Sequence, residues 1–488
     1  MNHAEYLARI EDTIRNGKYK DAWASLSGHK TPEWYYGAKL GIFIHWGVYS
    51  VPAYSCEWYP RLMYDPAHHE YEYHRKTYGS QKEFGYKDFI PMFRGEKFDA
   101  DEWVSLFRRA GARYVMPVCE HHDGFAMYDT EFNRWNAARM GPCRDVIGEL
   151  RAAAEENGLY ACVSTHRAEY WWFMSHGKEF DSDVREPLRR GDFYWPAMPE
   201  RDFSDIHSEP APSPEYLDDW LLRTVELVDR FHPRMLYFDW WIQHTAFEPY
   251  LKRFAAYYYN TSLKSGFVPV IAYKHDSFMY GSALRDIERG QLADIQANPW
   301  QTDMACALNS WCYTVGNQYR KAADIVCDLM DIVSKNGNLL LNVGPRADGS
   351  IGPEDRTILK EIGAFLRDNG EAVYRTRPWR VCGEGPTRVQ SGFFTDGIRK
   401  EFTSADFRFT QKGASVYAAA LRPSEDGTYL CRTFRALREP AFDGLHRDIL
   451  QVSRPDGKAV HWQRGEQGLT LRTAPGGDMP VVFRLALG

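Results

Sequence analysis

The sequence predicts an α/β chain, a (β/α)8-like TIM barrel followed by a C-terminal antiparallel β-sandwich. Short apolar runs alternate with amphipathic helical stretches up to about residue 375. Helical periodicity then stops, and short segments alternating apolar with polar residues follow between Gly and Pro turns. A chain of 488 residues is also too long for one ordinary core.

The apolar runs fall at 39–47, 113–122, 159–165, 234–241, 268–275 and 338–345, with helical patterns at 99–111, 144–158, 213–231 and 320–337. Runs apolar on both faces suit parallel strands covered by helices. Strands with helical crossovers over this length favour a closed barrel with long loops over an open doubly wound sheet. The expected organisation is a helical extension over 1–32, the barrel over 33–375 and the sandwich over 376–488. The insert 64–95, with His68-His69 and repeated Tyr, reads as a loop over the rim or a contact between copies in a homo-oligomer.

Sixteen Trp, thirty Tyr and twenty-seven Phe make 15% of the chain, many beside polar residues, as in EYWWF and FDWWIQH. Aromatic faces pack on the C–H faces of sugars, so a carbohydrate site is the first expectation, with core packing as the alternative for any single ring. The formal charge of −6 argues against broad nucleic-acid or anionic-membrane partners. No run approaches the roughly 18 apolar residues of a membrane span. The polar start carries no signal-peptide core, so a cytoplasmic location is expected, or a periplasmic or secreted one if a leader has been removed. Nine Cys without CxxC spacing suggest free thiols rather than a disulfide framework.

In a parallel barrel the reacting groups sit at the C-terminal ends of the strands. Those ends carry His45-Trp46, Glu120-His121-His122-Asp123, Thr165-His166, Asp239-Trp240-Trp241 and Lys274-His275-Asp276. Asp239 is the sharpest of them. It closes an apolar strand, and a carboxylate there costs several kcal/mol unless it is paired or used. It reads as a nucleophile or as a loop-bonded Asp. Consecutive strand residues point to opposite faces, so His121 and His122 reach one ligand only if the strand has already broken. As neutral imidazoles they would hydrogen-bond sugar hydroxyls; alternatively they would ligate a metal with Asp239 and His45. Zinc hydrolases of barrel type offer two His at i and i+2, whereas Trp46-Gly47 follows His45, which disfavours metal.

Four stretches, at 34–59 (WYYGAKLGIFIHWGVYSVPAYSCEWY), 110–150, 232–241 (HPRMLYFDWW) and 333–379, resemble glycoside hydrolase family 29, the α-L-fucosidases. The resemblance implies Asp239 as catalytic nucleophile. It implies His45, Glu57, Trp58, His121 and His122 as residues gripping the fucose ring, with Trp241 helping to close the pocket. It implies no metal and no organic cofactor, and a fucosylated oligosaccharide or glycoconjugate as substrate. Family members often carry a Trp-Glu pair ahead of a Ser-Trp-Gly-Tyr stretch, and that Glu is the usual acid/base. Here the segment is Trp300-Gln301, and Gln301 has no proton to give. Glu288 lies in the loop where other members place the acid and is expected to take that role, with Arg289 as a neighbouring sugar-site residue and Gln301 as a pocket hydrogen-bonder. An Arg⁺ close to Glu288 would lower its pKa, against the role.

The expected chemistry is double displacement, in which Asp239 forms a covalent glycosyl-enzyme and Glu288 serves as acid, then base. A retaining pair stands about 5–5.5 Å apart. The alternatives are an α-L-galactosidase or another 6-deoxy-sugar glycosidase of the same fold, and an idle sugar-binding homologue.

Overall fold

The alternating runs become the staves of a closed parallel barrel in a computed structural model that describes residues 3–200, 202, 204–397, 401–436 and 448–488. The strands are β1 (Leu40–Ile44), β2 (Tyr114–Glu120), β3 (Tyr160–Ala161), β4 (Val163–Thr165), β5 (Met235–Phe238), β6 (Val270–Tyr273), β7 (Leu284–Asp286), β8 (Trp300–Ala305) and β9 (Gly337–Val343). β3 and β4 are two pieces of one stave, and β1 pairs with both β2 and β9 to close the ring. β1, β2, β5, β6 and β9 are buried along their whole length, which is why they are apolar on both faces.

Two staves escape the apolar pattern. β7 is three residues long, and β8 carries Gln301 and Asp303 into the barrel interior. Their polar groups are satisfied by one another, so burial and apolarity part company there.

Local signals set the helix boundaries. Asp99, Asp145 and Ser213 cap the helices Ala100–Arg109, Val146–Glu156 and Pro214–Phe231 by accepting backbone N–H bonds, and Pro214 takes the first turn. His232, left-handed at φ 44°, ends the third. The 64–95 segment is not a loop: it contains the helix His69–Thr77 and a 3-10 stretch Tyr86–Met92. Tyr86 donates to Asp123 Oδ2 at 2.7 Å, so the insert braces the turn that follows β2.

After the barrel come β10 (Arg377–Glu384), β11 (Phe407–Lys412), β12 (Ser415–Ala420), β13 (Thr428–Cys431), β14 (Ile449–Ser453), β15 (His461–Gly465), β16 (Gly468–Arg472) and β17 (Val481–Leu487). They form an antiparallel sheet of order β10-β11-β12-β17-β14 and a smaller one of order β13-β16-β15. Phe407, Phe409 and Phe483 of the first meet Tyr429, Leu469 and Leu471 of the second in one buried core. A buried charge cluster ties this unit to the barrel. Asp331, on the helix Ala322–Ser334, pairs with Lys335 at 2.6 Å and with Arg408 of β11.

Candidate active site

The strand ends converge on a cavity of about 520 Å³, within the size range of ligand pockets. Phe43 and Tyr237, in ring contact at 5.2 Å, close the apolar barrel interior and line the cavity. His45, Glu57, Trp58, His121, His122, Asp239, Glu288 and Arg289 also line it. β2 ends at Glu120, and Gly124 turns at φ 76°, so the chain has left the strand and both imidazoles reach the cavity. Glu120 turns away to a buried network with Arg167 and Arg223.

Asp239 follows β5 and has two imidazoles at one oxygen. His122 Nε2 stands 3.4 Å and His166 Nδ1 2.9 Å from Oδ2, the latter at ion-pair distance but off line for a hydrogen bond. Burial works to raise the carboxyl's pKa, but His166, His122 and the Lys274 charge outweigh it and hold the group well below the usual carboxylate range. Asp239 is therefore ionised.

Glu288 is in the opposite position. Burial raises its carboxyl to about 7, helped by the charges of Asp303 and Asp239 and opposed by Lys274. Lys274 Nζ lies 3.1 Å from Oε2, and Trp240 Nε1 donates to the same oxygen at 2.5 Å. The cation beside Glu288 is thus Lys274, not Arg289. Arg289 turns its guanidinium to Asp396 at 3.1 Å and to the Leu308 carbonyl at 2.7 Å, which removes the objection its neighbouring charge raised.

The four imidazoles divide, three lowered, His166 among them by burial, and one raised. Burial, with neighbouring imidazoles, drives His45 and His121 well below the ordinary His range, so both are neutral. Burial would also lower His122, but Glu169 at 3.6 Å and Asp239 prevail and raise it to about 9. Asn342, in β9, fixes His45 through Nδ1 at 2.7 Å and donates to the Trp311 carbonyl at 2.6 Å. Glu57 accepts from the Trp311 N–H at 3.0 Å and from Ser310 at 3.3 Å. His121 Nδ1 is buried with no hydrogen-bond partner among the described residues.

Two expected pocket residues lie elsewhere. Trp241, left-handed at φ 71°, carries its ring away from the cavity onto Trp172 and Trp171, and Trp240 lines the wall instead. Gln301 is wholly buried beneath the cavity, donating to Asp286 Oδ2 at 2.8 Å and accepting from Tyr114 at 3.0 Å. It belongs to the polar layer around Lys274, with Asp286 and Asp303. His166, Glu169, Trp240, Trp311 and Phe394 also line the cavity but were not assigned roles from the sequence. His166 and Trp240 could have been found from their strand-end positions, whereas Glu169 and Phe394 carry no such signal.

Among the described residues, two sets of ligating atoms lie within 4.8 Å of one another, His45-His121-His166 and His122-His166-Asp239. The second set includes His122, which Glu169 and Asp239 raise to about 9, whereas the first is made of imidazoles that burial lowers.

An ionised carboxylate and one raised to about 7 at the mouth of a barrel, ringed by imidazole and indole, are the pairing of a glycoside hydrolase. A family model described as alpha-L-fucosidase matches residues 6–371. The chain is 30% identical to the human plasma α-L-fucosidase over 80% of this chain and 79% of that one, and 28% identical to the α-L-fucosidase of Dictyostelium discoideum over 77% and 78%. A crystal structure of Thermotoga maritima α-fucosidase in complex with fucose superposes with a TM-score of 0.73 at 28% identity, covering 96% of this chain and all of that one. The protein belongs to the α-L-fucosidase family.

Proposed function

We propose that the protein hydrolyses terminal α-L-fucosides of oligosaccharides or glycoconjugates by double displacement, with Asp239 as nucleophile and Glu288 as acid/base. Asp239 attacks the anomeric carbon, the C–O bond to the leaving group breaks, and the Glu288 proton passes to the departing oxygen. Glu288, now ionised, takes a proton from water as that water displaces Asp239, releasing fucose with its configuration retained. The observation that carries this reading is the placement of two carboxyls on one cavity, Asp239 Oδ2 beside the His122 and His166 imidazoles and Glu288 Oε2 beside Trp240 and Lys274, with Asp239 held low and Glu288 raised to about 7. His45 and His121 are neutral imidazoles able to donate from one nitrogen and accept at the other, as sugar hydroxyls require. Glu57, Trp58 and His122 complete the grip on the ring.

The test is turnover of a 4-nitrophenyl α-L-fucoside beside the α-L-galactoside. Asp239→Gly should abolish turnover, and azide should restore release of nitrophenol with formation of the β-fucosyl azide. Release of the α-azide would remove Asp239 as nucleophile. Turnover of the galactoside alone would replace the substrate.

A further inference from the structure

The cavity has one wall that the barrel does not build. After β10 the chain returns to the rim, and residues 391–396 pair with the segment that carries Glu288. Phe394 N–H donates to the Glu288 carbonyl at 2.9 Å, Asp396 N–H to the Arg289 carbonyl at 3.0 Å, and Gly392 N–H to the Gln291 carbonyl at 3.0 Å. The approach is close enough that a Cβ on Gly290 would stand 1.9 Å from the Gly392 carbonyl oxygen, so only glycine fits there. Asp396 then pairs with both Arg289 and Arg320.

This pairing presents Phe394 in an unusual state. Its ring is 55% exposed, and its backbone sits at φ 54°, a region that a bulky residue enters only at a cost. The ring nonetheless lines the cavity and lies nearly parallel to Trp240, at 16° and 6.1 Å between centroids. Trp240 is the residue that donates to Glu288. Phe393 packs against Trp240 from the same segment at 5.1 Å. Beyond its contact with Trp240 the residue is more than half exposed, so burial does not account for its strained conformation.

We propose that Trp240 and Phe394 form the subsite for the leaving group, a neutral pyranose whose apolar C–H face lies on the two rings while Asp396 and Arg289 meet its hydroxyls. This rests on the fucosidase reading, because the acid marks which side of the scissile bond departs. Phe394 is a specificity-determining residue: it meets the aglycone, not the fucose.

The test compares two substrates. α-L-fucosyl fluoride has no aglycone sugar, while α-L-fucosyl disaccharides linked to galactose or N-acetylglucosamine have one. Phe394→Ala should lower kcat/KM for the best disaccharide, relative to the fluoride, by about tenfold, the factor that ~1.4 kcal/mol of lost contact produces. Phe394→Tyr, which keeps the ring, should restore that ratio. Equal losses on both substrates would make Phe394 merely structural and overturn the proposal, as would an unmoved ratio. A wild-type protein inactive on the fluoride would instead remove the fucosidase reading, and the subsite with it.

Discussion

Lys274 Nζ stands 3.1 Å from Glu288 Oε2 and at 2.9 and 3.1 Å from Asp286 and Asp303, so one buried cation serves three carboxyls. A single positive charge divided three ways cannot hold every carboxyl ionised. Of the three, burial raises both that line the cavity, Glu288 to about 7 and Asp303 to about 8, against the pull of Lys274.

The pH dependence follows from that arrangement. Catalysis needs Asp239 ionised and Glu288 protonated. The alkaline limb of kcat/KM should therefore fall as pH rises through about 7, while the acid limb should lie below the ordinary carboxylate range. Lys274→Met removes the charge that opposes protonation, so the alkaline limb should move to higher pH. A limb that moves down would place the governing proton elsewhere.

The same shift predicts a stability effect. Glu288 is raised from 4.5 to about 7, so its neutral form is favoured in the folded state. Its contribution is fully present below pH 4.5 and is lost as pH rises through about 7. Glu288→Gln should thus lose turnover yet gain stability at pH 8.5, by about 3 kcal/mol, with little change at pH 4.5. Denaturant unfolding at both pH values reads the difference.

Asn342 holds the His45 ring and the Trp311 carbonyl together. Asn342→Ala should cost about tenfold in kcat/KM, one hydrogen bond's worth of ~1.4 kcal/mol, without moving either pH limb. Steady-state profiles across pH separate this positioning effect from a change in proton donor.

Metal dependence has a direct test. Two sets of side chains among the described residues could hold an ion, His45-His121-His166 and His122-His166-Asp239. The proposed double displacement uses none, so prolonged dialysis against a chelator should leave turnover intact. Activity lost to chelation and regained with metal would overturn the metal-free mechanism.

Much of this architecture was legible because burial and apolarity coincide along most staves. They part at β7 and β8, where Lys274, Asp286, Gln301 and Asp303 satisfy one another inside the barrel. A polar pair at one strand cannot announce that its partner lies on another. Gln301 illustrates the consequence: its sequence context suggests a pocket residue, while its side chain serves the layer below. Trp240 and Trp241 were separable only by the left-handed turn at Trp241, which has no Gly to mark it. Phe394 is further from prediction still, since it reaches the site from beyond the barrel.

The buried junction of Asp331, Lys335 and Arg408 has a mechanical meaning. Pulling the sandwich away from the barrel would leave charges in an apolar seam without their counter-ions, so the two units resist swinging apart. The aglycone subsite proposed at Phe394 would accordingly stand on a welded joint rather than a hinge.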